Sequence, residues 1–432
     1  MASALLRVLA TVRGRNEWTN TMTTHLVGGI SSAGRALPPM DGKPFVARRS
    51  QGAYIWDDRQ RQYIDTALGF GATVIGHANP LVVEAVTAAL RNGPMPAFAH
   101  DGEEEAAGVL TAATQHLSRA IFTNTGSEAV HLACRLARAA TGRSYIAKMA
   151  AGYDGWYDDV TLGQAGSADA AMLTNARPVH ERTTLLRFND FDDVDQLFAE
   201  NSGIAAVILE PMLANAGCIP AAPGYLAHVE ATARRHGALV ILDEVLMGFR
   251  MRFGLTGHSM EVEADLATVG KAIGSGVAVA AVVGRPDLMA LAEEGTVNRA
   301  GTYSGNPVAT AAVTATFQLL KDLDYAALLA RGERLRHGIS SAFAKCGRTV
   351  TTSGEGSVFT IWFADSPPSN YAETLSRANA VMTLKLHEAL RRRGLLIMPF
   401  AFGRLYLSDA HTDGVIDDMI GIFEDAAGDM AA

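Results

Sequence analysis

The stretch Ala238-Leu239-Val240-Ile241-Leu242-Asp243-Glu244 runs five apolar residues into two acids. An apolar run without alternation predicts a strand covered on both faces, and such strands belong to parallel sheets with helical crossovers. Residues 120–123, 145–149, 204–209, 265–269 and 277–283 read the same way. Helical stretches lie between them: 80–90, opened by Asn79 and Pro80; 128–140, closed by Gly142; and 225–236. The alternation predicts an α/β fold, with a large, mostly parallel sheet and helices on both faces.

The rest of the chain fits around that sheet. Its 432 residues are 48% hydrophobic and 19% charged, enough for a large core and a second, smaller one. A long helix after Pro307 leaves the sheet. A helix at 326–344, a strand at 358–363 and a helix at 378–393 predict a smaller α+β domain, beside which the hairpin at 51–65 packs. The expected divisions are a leader over 1–24, an N-terminal segment over 25–75 packing with the small domain, a large domain over 76–310 and a C-terminal small domain over 311–432. The leader carries Arg7, Arg13 and Arg15 with no acid before Glu17, which resembles a transit peptide in charge. A segment without packed structure is the plainer reading.

Composition excludes several classes of function. A net charge of -8 argues against a dedicated nucleic-acid binder. No apolar run reaches membrane-spanning length. The three cysteines are widely spaced and form no CxxC pair, so neither a disulfide framework nor a structural zinc site is expected. A reducing, cytoplasmic location follows as an expectation.

Ligands of parallel sheets sit beyond the carboxyl ends of the strands, and chemically loaded segments fall at such ends here. Asn124-Thr125-Gly126-Ser127-Glu128 feeds a helix start, whose free N–H groups suit a phosphate. Taken alone, an ordinary N-cap is the better explanation. Asp243 follows a buried strand and needs a positive partner, such as a protonated ring nitrogen. With Glu244 it offers a metal two acids, although no histidine or cysteine cluster joins them. Lys271, in Val269-Gly270-Lys271-Ala272-Ile273-Gly274, falls about one βα unit downstream. Burial there would lower its pKa and prepare it to form an imine, whereas a solvated lysine is the usual fate of the residue type. Gly301-Thr302-Tyr303-Ser304-Gly305-Asn306-Pro307 opens another helix. By itself it is a capped turn.

Nine segments occur together in one order: Gly28-Gly29 with Arg35, the hairpin at 54–65, Gly76-His77-Ala78-Asn79-Pro80, Thr123-Asn124-Thr125-Gly126-Ser127-Glu128-Ala129, Tyr153-Asp154-Gly155, Glu210-Pro211 with Asn215 and Gly217, Asp243-Glu244-Val245 with Gly248-Phe249-Arg250, Gly270-Lys271, and 301–307. In these the chain resembles the class III aminotransferases of pyridoxal-phosphate fold type I. The resemblance is strongest to the branch of glutamate-1-semialdehyde aminomutase and β-amino-acid transaminases. It implies pyridoxal 5′-phosphate held in the large domain, with Lys271 as Schiff-base lysine and proton shuttle and Asp243 as partner of the ring nitrogen. Val245 and Tyr153 are implied on the two ring faces, Gly126 and Ser127 at the phosphate, and Glu210 among the cofactor-binding residues. Thr302 is implied to reach the phosphate of a neighbouring subunit in a homodimer. Arg35 matches an arginine for the substrate carboxylate, and Arg404 is a second candidate. No metal is implied. The sequence departs from the family pattern at Asp154, where the family's Tyr-His-Gly motif has histidine, at Val27 in place of proline, and at Ala214 in place of glycine.

The implied activity moves an amino group between an amino acid or amine and a keto or aldehyde acceptor in two half-reactions. A 2,1-aminomutase of the glutamate-1-semialdehyde type shares the same site. So would another pyridoxal-phosphate reaction, because fold does not fix chemistry. A dinucleotide-binding oxidoreductase or a non-catalytic binding protein is the alternative from another class.

Overall fold

The computed structural model describes residues 25–172, 179–180 and 182–431. The leader expected at 1–24 lies outside them. The strands are β1 (Ala47–Gln51), β2 (Tyr54–Asp57), β3 (Gln62–Asp65), β4 (Arg119–Thr123), β5 (Tyr145–Met149), β6 (Val179–His180), β7 (Thr183–Leu186), β8 (Ile204–Leu209), β9 (Met212–Leu213), β10 (Ile219–Pro220), β11 (Leu239–Glu244), β12 (Leu266–Val269), β13 (Ala280–Gly284), β14 (Thr351–Glu355), β15 (Val358–Trp362), β16 (Leu395–Leu396) and β17 (Arg404–Tyr406).

The central sheet has the order β4-β13-β12-β11-β8-β5-β7-β6. From β12 through β11, β8 and β5 to β7 every pairing is parallel. β13 is antiparallel to both β12 and β4, so β4 runs with the parallel set. The strand expected at 277–283 starts later, at Ala280, because the chain after β12 spends Lys271–Gly274 on a 3-10 turn before returning. β7 escaped the sequence reading. It is buried throughout, but Thr183 and Thr184 disguise a core strand as a polar one.

Helices cover both faces, as the apolar strands require. The Gly126–Thr141 helix lays Ala129, Val130, Ala133, Leu136 and Ala137 on one face, against Ile146, Ile208 and Ile241. The Tyr225–Arg235 helix packs Tyr225 and Val229 on the other, with Val207 and Val240. Capping fixes where the helices begin. Asn79 accepts from the Leu81 N–H at 3.1 Å, and Asn306 accepts from Val308 and Ala309 at 3.1 Å each. The helix expected from residue 128 begins at Gly126, because Thr125 and Glu128 close a reciprocal capping box.

Among the described residues three smaller sheets lie around this one, the least of them the antiparallel β9–β10 pair. In another, β16 from the C-terminal region adds in parallel to β3 of the N-terminal hairpin, with Leu395 opposite Ile64. In the third, β14, β15 and β17 run antiparallel. The consequence for function is positional. β4, β5, β8, β11 and β12 share a direction, so residues 123–127, 150–154, 210, 243–245 and 270–271 gather at one carboxyl edge.

Two glycine substitutions test this packing. A Cβ on Gly332, in the Tyr325–Lys345 helix, would land 2.0 Å from the Gly356 carbonyl oxygen, where backbone meets backbone. Gly332→Ala is expected to destabilise the fold by about 3 kcal/mol in denaturant titrations. A Cβ on Gly421, in the Asp413–Ala431 helix, meets nothing within 4 Å. Gly421→Ala is expected to stabilise by about 0.5–1 kcal/mol, through helix propensity alone.

Candidate active site

Strand alternation separates the two acids at the end of β11. Ile241 packs with the core on the Gly126–Thr141 side and Leu242 with the opposite core. Asp243 therefore faces the first side and Glu244 the second, so they do not share one ligand. Both acids belong to the strand itself rather than following it, since Asp243 pairs in register with Thr268 and Glu244 with Val269. Asp243 Oδ1 accepts from the Thr268 hydroxyl and from the Val245 N–H, each at 3.0 Å. Oδ2 accepts nothing among the described residues, although the side chain is buried. Burial, then the Asp154 carboxylate, pushes the Asp243 carboxyl above its ordinary value.

Lys271 is the first residue after Gly270 at the end of β12, and its φ is 43°. This left-handed conformation costs a residue with a side chain about 1–2 kcal/mol, and it sets the amine among the strand ends. Burial holds the ammonium below its usual range, Asp243 opposes that, and the Arg404 charge adds to it. Glu210, buried directly after β8, accepts from the Tyr153 N–H at 3.3 Å. Burial, then Asp154 and Asp243, pushes it up to about 8.

The helix start supplies an anion site. Glu128 closes the capping box with Thr125, its N–H donating to the threonine hydroxyl at 3.2 Å. The N–H groups of Gly126 and Ser127 have no partner among the described residues. They point out of a 16-residue helix whose dipole favours negative charge. The missing side chain at Gly126 matters here, since a Cβ would come within 3.0 Å of Val245 Cγ1. One on Gly270 would come within 3.4 Å of the same methyl. Val245 thus sits between the helix start and the Lys271 turn. Gly155 approaches Ser127 so closely that a Cβ would lie 2.8 Å from its hydroxyl, which brings the loop carrying Tyr153 onto the same edge. The Tyr153 ring is 45% exposed, open to a bound group.

Of the two expected substrate arginines, only one joins this cluster. Arg404, on β17, donates from Nε to the Tyr406 hydroxyl at 2.7 Å and from Nη1 to Asn215 Oδ1 at 2.6 Å. These bonds hold its plane and leave Nη2 available. Arg35 ends a 3-10 turn at Ala33–Arg35, is exposed, and makes no side-chain hydrogen bond or ion pair among the described residues. Thr302 is exposed at the turn before the Pro307–Asp322 helix. It adjoins a cavity of about 930 Å³ lined by Glu103, Thr123, Glu128, Arg135, Gly301 and Ser304. Lys271 is not among the residues that line that cavity, and the chemistry, not the volume, marks the site.

Two residues here had no assigned role in the sequence. Arg250 is fully buried; it donates to the carbonyls of Gly71 and Leu246, lies 5.3 Å from the Tyr406 ring centroid, and leaves Nη1 without a partner. Lys148 is fully buried in β5 and pairs with Asp154. A lysine inside the run Tyr145-Ile146-Ala147-Lys148-Met149 was the available signal, because a buried ammonium needs a counter-charge. Together the edge offers an amine base, a carboxylate for a cationic ring nitrogen, free N–H groups for a phosphate and an oriented guanidinium for a carboxylate.

The family model for aminotransferase class-III matches residues 38–426. The chain is 36% identical to glutamate-1-semialdehyde 2,1-aminomutase of Nitrosospira multiformis, over 92% of this chain and 95% of that one. Among solved structures it is similar to a transaminase with pyridoxal phosphate bound (TM-score 0.84, 25% identity, 100% of this chain and 97% of that chain). It is also similar to the β-phenylalanine aminotransferase of Variovorax paradoxus (TM-score 0.85, 27% identity, 99% and 96%).

Glu244 supplies a stability test separate from activity. It is buried, accepts from the Gly257 N–H at 2.6 Å, and leaves Oε2 without a hydrogen-bond partner among the described residues. Burial pushes its carboxyl from 4.5 up to about 8. A raised acid keeps its proton in the folded state, so the wild type loses stability as pH rises from about 4.5 to about 8. Glu244→Gln keeps the acceptor and removes the charge. Thermal melts are expected to show the variant more stable by about 2 kcal/mol at the alkaline end, with the difference fading towards the acid end.

Proposed function

The chain belongs to the class III aminotransferases, which use pyridoxal 5′-phosphate, and on that premise we propose that Lys271 is the lysine that holds the cofactor and then moves the proton. The reaction class is transfer of an amino group between an amino acid or amine and a keto or aldehyde acceptor. When bound, the cofactor supplies an aldehyde for condensation with amines and a cationic ring that accepts the electrons of a carbanion. The residues present fit it. Oδ2 of the buried Asp243 lacks a partner among the described residues and suits a protonated ring nitrogen. The free N–H groups of Gly126 and Ser127 suit its phosphate. Val245, fixed between two glycines, and the open ring of Tyr153 suit its two faces. Glu210 holds the Tyr153 loop through that residue's N–H.

The observation that carries this reading is the placement of a depressed amine and a raised carboxyl at the ends of adjacent parallel strands. Burial favours the neutral form of Lys271, which is the form that attacks a carbonyl and later accepts a proton. Arg404, its plane set by Tyr406 and Asn215, holds the substrate carboxylate, and a bidentate fork suits that group. Arg35 is the second arginine for the same end of the substrate.

A homodimer completes the reading. Phe98 and Tyr303, 83% and 62% exposed, flank the region where His100 bonds to the Gly305 carbonyl. A second copy covering that face would bury them and bring Thr302 to the neighbouring phosphate. Three unpaired cysteines fit a cytoplasmic location. The 36% relative favours one further reading, an aminomutase that returns the amino group to a neighbouring carbon of the same molecule.

Three assays separate these possibilities. Lys271→Ala is expected to lose turnover and the near-visible absorption band of the bound cofactor; near-normal transamination would refute the assignment. Arg404→Ala is expected to raise KM for carboxylated donors by about 10- to 100-fold, as loss of a charged hydrogen-bond pair implies. Unchanged kinetics in both Arg404→Ala and Arg35→Ala would remove the arginine assignments. Turnover that requires an added keto acid marks a transaminase, and turnover without one marks the aminomutase.

A further inference from the structure

Lys148 stands in the middle of β5 among Ile146, Ala147 and Met149, all buried. Its side chain is itself wholly buried, and so is that of Asp154, whose Oδ2 lies 2.9 Å from Nζ. The same ammonium donates to the carbonyls of Gly152 at 3.3 Å and Val160 at 2.8 Å. One cation thus ties residues 152, 154 and 160 to the strand. The loop it ties down carries Tyr153.

Asp154 also stands close to Glu210. A Cβ on Gly152 would lie 3.5 Å from Asp154 Oδ2 and 3.5 Å from Glu210 Oε1, so the two carboxylates flank one glycine. Lys148 Nζ pairs with Asp154 Oδ2 at 2.9 Å, and no other group among the described residues bonds that oxygen. The ionisable groups around it are Lys148 on β5, Cys134 on the Gly126–Thr141 helix, Glu210 after β8 and Asp243 on β11, with Lys271 acting on the last two. After burial, Asp154 is the strongest influence raising both Asp243 and Glu210.

We propose that Lys148 and Asp154 are one positioning pair, in which Lys148 clamps the Tyr153 loop and Asp154 adds a fixed negative charge that helps Asp243 keep a proton on the cofactor's ring nitrogen. The inference rests on the assignment of Asp243 given above. Three buried carboxylates (Asp154, Glu210, Asp243) stand with the amines of Lys148 and Lys271 and the guanidinium of Arg404 at this edge.

The test compares wild type, Asp154→Asn, Lys148→Met and the double variant, all loaded with pyridoxal 5′-phosphate. The readouts are the pH midpoint of the bound cofactor's absorbance, its dissociation constant from titration of the apoenzyme, and thermal stability. Removing a negative charge lowers proton affinity nearby, so Asp154→Asn is expected to move the midpoint down by roughly one pH unit and weaken cofactor binding roughly tenfold. Lys148→Met is expected to melt lower, and the double variant to regain stability while keeping the midpoint of Asp154→Asn. An Asp154→Asn enzyme with the wild-type midpoint and dissociation constant overturns the proposal, whether or not Lys148→Met folds. Failure of the wild type to take up the cofactor is a different result, which removes the site assignment itself.

Discussion

Asp243 and Lys271 close neighbouring parallel strands, and neither can be charged there at no cost. Burial pushes the carboxyl up and the amine down, so each depends on the other or on a bound group to complete its charge. That constraint gives the surrounding features their purpose. The parallel arrangement of β11 and β12 puts the two groups at one edge. The strained backbone of Lys271 turns the amine towards it. The capped helix start brings free N–H groups to the same edge, and the glycines at 126, 155 and 270 let these parts approach closely enough to form one cradle.

Most of the central sheet was legible in the sequence, because apolar runs without alternation leave few alternatives. The strands at 145–149 and 204–209 fall where that reasoning set them, and so do the helices capped by Asn79 and Asn306. What the pattern concealed has a physical cause in each case. β7 carries two threonines that read as polar, though both are buried. β13 is displaced because a lysine at positive φ takes the chain out of β12 through a turn that no propensity predicts. The pairing of β16 with β3 sets Leu395 opposite Ile64, a contact across most of the chain that local periodicity cannot encode.

The site was legible to a different degree at each residue. Asp243 announced itself as a carboxylate ending an apolar strand, although only the alternation of side chains between two faces separates its role from that of Glu244. Lys271 and the Gly126-Ser127 turn were ordinary by themselves and gained meaning from their order along the chain. Arg35 matched a family position yet lies exposed, whereas Arg404 is seated by Tyr406 and Asn215, partners distant in sequence. Lys148 was visible as a charge in a core strand, but its partner could be named only once the loop was seen folding back onto it.

The chemistry of this edge depends on which lysine the cofactor meets. Borohydride reduction of the loaded enzyme fixes the cofactor to that lysine, and proteolysis with mass analysis of the peptides identifies it. The added mass is expected on the peptide containing Lys271 and on no other. Its appearance on Lys148 or on an exposed lysine such as Lys345, or its absence from every peptide, would contradict the central claim.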